Sequence, residues 1–127
     1  MRTTSFKIDS FIIQIYAADR KGRRTRWGDK LIKIYSEGRE VAQAVFAREG
    51  TEVPEPYFSE GKIHFFAESG LFPSVINLLQ TVKPVYIAWK PVYDPKEPQD
   101  GDAYFSTEEI KHDNHSSPSV TENKENA

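Results

Sequence analysis

Residues 11–47 read FIIQIYAADRKGRRTRWGDKLIKIYSEGREVAQAVFA. Two alternating apolar runs, FIIQIYAA and KLIKIYSE, flank the basic segment DRKGRRTRWGDK, and a third run, VAQAVFA, follows the turn Ser36-Glu37-Gly38-Arg39. Alternation with a period of two marks strands that bury one face, and short Gly-bearing connections join such strands as hairpins. The stretch predicts a β-meander with one charged, Trp-bearing tip.

Parity sorts the side chains of the first hairpin. Lys21-Gly22 is the best two-residue turn in the basic segment, because Gly tolerates positive φ. That turn sets residue i opposite 43 − i, so Phe11 faces Ile32, Tyr16 faces Trp27 and Arg20 faces Arg23. One face then collects Phe11, Ile13, Ile15, Ile32 and Ile34 as a core face. The other collects Ile12, Gln14, Tyr16, Trp27, Leu31, Lys33 and Tyr35. A bulge near Gly28 that moves the register by two residues keeps both faces intact.

Outward from this stretch, GTEVPEP (Gly50–Pro56) has the prolines and acids of a linker. YFSEGKIHFFA (Tyr57–Ala67) reads as a fourth strand, strongest from Lys62 to Phe66, with Glu60-Gly61 as a bulge or turn. Pro73–Val82 is the one plausible helix: Pro suits its start, and Phe72, Val75, Ile76, Leu79 and Val82 form an apolar stripe. Pro84 ends it. VYIAWK (Val85–Lys90) is a further strand with Val85, Ile87 and Trp89 on one face. The expected architecture is an α+β domain over residues 1–93: an antiparallel meander of about four strands, one packing helix and one further strand. Residues 94–127 are expected to be an acidic, largely disordered tail, in which Tyr104, Phe105 and Ile110 are the only candidates for a short docking element.

Charge is distributed unevenly along the 127 residues. Residues 1–48 hold eleven Lys and Arg against five Asp and Glu, while residues 92–127 hold three against nine. The front is basic and the tail acidic, although the whole chain carries only −2. The chain has no Cys, which excludes disulfides and thiolate metal sites. MRTTSFKIDS lacks the apolar stretch of a signal peptide, and no run reaches the ~18–20 apolar residues of a membrane span. A cytoplasmic protein with no membrane contact is expected.

Nothing in the sequence assembles a catalytic or metal-binding set. His64 is the only histidine outside the tail, and there is no phosphate-binding Gly loop and no nucleophile elbow. No enzyme activity, cofactor or metal is expected. The positive signal is the basic hairpin: Arg20, Lys21, Arg23, Arg24 and Arg26, followed by Trp27, Lys30 and Lys33. Clustered cations neutralise phosphates, and unpaired bases stack on flat aromatic rings such as Tyr16, Trp27 and Tyr35. The expected function is a small binding domain for single-stranded nucleic acid, DNA or RNA. Two other readings compete. Charged hairpin tips keep edges soluble, and Tyr16 with Trp27 is then a cross-strand pair. If Glu37-Gly38 is a simple turn, Ala42, Ala44 and Phe46 join Ile12 and Leu31 on the second face, which then suits protein–protein contact or a homodimer.

The run of strands leading through GKIHFFAESGLFPSVINLL into a Pro-started helix resembles, over residues 11–82, the ββββα unit of the PC4 and Whirly single-stranded DNA-binding proteins. The likeness is one of topology, and it implies a fold rather than an activity.

Overall fold

Alternating apolar residues become eight strands and one helix in the computed structural model, which describes residues 3–16, 28–92 and 100–109. The strands are β1 (Thr4–Lys7), β2 (Ser10–Ile15), β3 (Gly28–Ser36), β4 (Arg39–Ala47), β5 (Tyr57–Ser59), β6 (Lys62–Glu68), β7 (Tyr86–Pro91) and β8 (Gly101–Ser106). A 3-10 turn, Ser69–Leu71, leads into α1 (Phe72–Thr81). The fold is α+β with a β-rich core, but its strands divide between two sheets. One has the order β2-β3-β4-β6-β5 and the other β1-β7-β8. A continuous antiparallel meander does not form: β4 and β6 run parallel, because the linker and β5 carry the chain across before β6 pairs. The topological likeness to a ββββα unit ends at that parallel pair.

The first hairpin keeps its expected faces in a corrected register. Phe11 lies opposite Ile34 and Ile13 opposite Ile32, so residue i faces 45 − i rather than 43 − i. A shift of two residues preserves parity because the side-chain period is two. Tyr16 therefore meets Asp29, to whose carbonyl it donates its N–H at 2.9 Å, instead of Trp27. The proposed Lys21-Gly22 turn and Trp27 lie outside the described residues.

Two bulges shape the next pair. Ile34 faces Ala42 but Tyr35 faces Glu40, leaving Val41 as an extra residue on β4. Lys30 faces Phe46 but Gly28 faces Ala47, leaving Asp29 extra on β3. The Val41 bulge reverses the parity that the Glu37-Gly38 turn would impose. Ala42, Ala44 and Phe46 consequently lie beside Ile34 and Ile32 on the core face, fully buried, and not on the second face. Gly38 and Gly61 occupy the second position of two Glu-Gly turns, with φ of 77° and 74° after Glu37 and Glu60 at 53° and 55°. Positive φ at both central residues gives the twist that closes a tight antiparallel pair. Glu60-Gly61 thus separates β5 from β6 as a turn.

The inner face of the large sheet meets the small sheet and the helix. Ile32, Ile34, Val41, Ala44, Phe46 and Ile63 are buried there, with Ile87 and Trp89 from the facing strand β7, Val85 just before it and Leu79 from α1. Removing each large aliphatic side chain from water contributes about 1.5–3 kcal/mol. Aromatic edges tie the layers: Phe46 meets Phe72 of the helix at 5.0 Å and Phe65 meets Phe105 of β8 at 5.6 Å, both edge-on. The helix begins with Pro73 in its first turn and closes with the Val82 N–H donating to the Leu78 carbonyl. Val85, Ile87 and Trp89 share one buried face, as their alternation requires.

β1 and β8 both flank β7. Phe6 does not extend the first hairpin; it pairs with Ile87, and the chain passes from one sheet to the other between Lys7 and Ser10. Phe105 pairs with Ile87 from the opposite side. Gly101–Ser106 is thus a strand that packs Ala103 and Phe105 against the core, inside the range that the sequence assigned to a tail beginning at 94. Ile110 and residues 111–127 lie outside the described residues.

Candidate binding surface

The outer face of the large sheet carries the polar and aromatic residues that alternate with the core. One row crosses all five strands: Ile12, Lys33, Gln43, His64 and Tyr57, each opposite the next. Four strand spacings of about 4.8 Å make this row roughly 19 Å long. Tyr35 follows Lys33 on β3, opposite Glu40, and Leu31, Val45 and Phe66 form the row on the other side. Ile12 and Tyr57, at the two ends, are 47% and 44% exposed.

Tyr57 and His64 stack with ring centroids 4.5 Å apart and planes inclined by 11°. Cross-strand pairing across the β5–β6 turn fixes both rings on the same face. Burial holds the His64 pKa below its ordinary 6.5, and nearby Lys62 acts in the same direction. Glu40 and Glu60 oppose the shift without cancelling it. The imidazole is therefore neutral near pH 7, with a flat apolar face. Glu40 organises its surroundings, accepting a hydrogen bond from Gln43 Nε2 at 2.7 Å and pairing with Lys62 Nζ at 3.5 Å.

The site residues expected from sequence separate into three groups. Lys33, Tyr35 and Tyr16 share the outer face, as parity demands. Lys30 does not join them. It lies opposite Ile15 and Phe46, on the other face, where its ammonium sits 5.9 Å from the Phe72 ring centroid and 3.3 Å from Asp29 Oδ1. Arg20, Lys21, Arg23, Arg24, Arg26 and Trp27 lie outside the described residues. Tyr57, His64 and Gln43 are members of the surface that the basic hairpin does not point to. The signal was present, since YFSEGKIH carries an aromatic and a histidine symmetrically about a Glu-Gly turn.

Removal of Ala42, Ala44 and Phe46 into the core takes away the apolar load that argued for a partner on the outer face. Leu31 is only 9% exposed there. Among the described residues, no group of three His, Cys, Asp or Glu converges as metal ligands. Among them, too, no helix is long and apolar enough to cross a membrane. No protein-family model, curated protein or solved structure matches the chain.

Proposed function

We propose that the protein is a non-catalytic cytoplasmic domain that binds single-stranded nucleic acid on the outer face of its five-stranded sheet. The observation that carries this reading is the cross-strand row Lys33, Gln43, His64 and Tyr57. It combines a cation for phosphate, an amide for base edges and a stacked ring pair on which an unpaired base can lie. The basic segment supports it from the same two strands. Arg20, Lys21, Arg23, Arg24 and Arg26 fall within the connection from β2 to β3, which begins at Tyr16 and leads into the strand that carries Lys33 and Tyr35. Stacking supplies sequence-tolerant affinity and the cations supply its electrostatic part.

The test is a titration of labelled single- and double-stranded oligonucleotides at two salt concentrations. Single strands are expected to bind more tightly, with an affinity that falls steeply as salt rises. Replacing Arg20, Arg23, Arg24 and Arg26 together by Glu should abolish binding. Tyr57→Ala should weaken single-strand binding about five- to tenfold or more, the loss of one stacked base. Absence of any salt-dependent binding by the wild-type chain at low ionic strength would overturn the proposal.

A further inference from the structure

We infer that β2 is a self-association edge, where a second copy of this chain adds its own β2 antiparallel and extends the large sheet across a two-fold axis. Four strands end the two sheets: β2 and β5 the larger, β1 and β8 the smaller. Exposed terminal strands invite pairing with other chains, so proteins blunt them by shortness, charge or proline. Three of these four carry such a device. β5 has three residues and follows Pro56, β1 contains Lys7, and β8 contains Asp102. β2 has none: its six residues, SFIIQI, include no charge and no proline.

Its backbone is also open. The Tyr16 N–H donates to the Asp29 carbonyl, and bonded positions alternate along an antiparallel pair. Ser10, Ile12 and Gln14 therefore direct their N–H and C=O groups to β3, while Phe11, Ile13 and Ile15 direct theirs away from it. Among the described residues, nothing pairs with those outward groups. The side chains agree with the backbone: Ile12, Ile13 and Ile15 are 47%, 36% and 57% exposed. Ile13 and Ile15 belong to the core face by parity, yet the small sheet and helix leave them uncovered.

A second copy is the occupant that fits. Two-fold pairing centred on Ile13 sets Ile13 against its own counterpart and Ile15 against Phe11 of the other copy. Ile12 then meets Gln14 on the outer face. Apolar side chains meet on the core face with no charge repelled on either face, and every outward N–H and C=O of the three residues finds a partner. The pairing is isologous and closes as a dimer instead of propagating.

Light scattering or sedimentation of the full chain, without nucleic acid, over a range of concentrations tests this independently of the function proposed above. The mass should rise from 14.6 kDa toward twice that value as concentration increases. Ile13→Pro deletes an outward N–H but leaves the β2–β3 ladder whole, since proline is tolerated on an edge strand whose N–H faces outward. It should hold the chain at the monomer mass with an unchanged far-UV spectrum. Ile15→Lys, at a solvated position, should do the same, and decides the matter where Ile13→Pro fails to fold. A wild-type chain that stays monomeric throughout, or a folded variant of either kind that still dimerises, would overturn the inference.

Discussion

Gly28 has no room for a side chain. A Cβ there would lie 1.9 Å from the carbonyl oxygen of Phe46, because the bulge at Asp29 brings the two backbones together. Gly28→Ala should therefore lower stability by at least about 2 kcal/mol, read as a shift of the urea midpoint. Gly70, which faces open space, is the control and should change by less than about 0.5 kcal/mol on the same substitution. A bulge near Gly28 is legible in the sequence, whereas the place of His64 on the outer face rests on the symmetry of YFSEGKIH about Glu60-Gly61. The pKa of His64 is depressed in the folded chain, so between that lowered value and 6.5 the unfolded chain binds more protons. Its contribution to stability is whole above 6.5 and is lost as pH falls through the lowered value. Melting temperature should thus drop further between about pH 7.5 and pH 5 in the wild type than in His64→Gln. An equal drop in both would show that the imidazole does not titrate out of a protected site.

Elements were legible where local chemistry decided them. The helix was expected over Pro73–Val82 and spans Phe72–Thr81, since a proline start, a 3.6-period stripe and Pro84 agree with one another. The two Glu-Gly turns and the buried stripe of β7 follow from equally local signals. Pairing was another matter. In VAQAVFA every alternate choice of face is acceptable, because apolar residues occupy both parities, so the extra residue at Val41 leaves no trace in the sequence. Only contact with Ile63 and the facing sheet selects Ala42, Ala44 and Phe46 for burial. The parallel pairing of β4 with β6 is similarly a long-range outcome, which the linker permits but does not encode. β8 is hidden because DPKEPQDGD, rich in proline and acid, argues for a tail and runs into the first two residues of the strand. Half of the outer-face site was readable by parity, and its other half depended on which strand lies beside β4.

At the scale of the whole molecule, the smaller sheet joins distant parts of the chain: β1 at the front, then β7 and β8. Phe105 packs edge-on to Phe65, and Gly101 lies under the Trp89 ring, which leaves no space for a Cβ. Truncation after Val92 should therefore cost the core as well as charge, seen as a lower melting temperature and a red-shifted Trp emission. Truncation after Glu109 keeps β8, and it is the right way to ask whether the acidic segment competes with phosphate for the basic segment Arg20–Arg26. If the chain ending at Val92 melts like the full chain, β8 is dispensable and the core does not depend on Phe105. The same arrangement sets an order in time for the protein as it is made. Strands β2 to β6 occupy residues 10–68 and can pair while synthesis continues. The smaller sheet cannot, since β1 emerges first and must wait for a central strand that arrives at residue 86 and a third that ends at 106. At about 5–20 residues per second, the β1 segment waits several seconds for its neighbour. Meanwhile the inner face of the larger sheet, with Ile32, Ile34 and Phe46, stands open to whatever holds nascent chains.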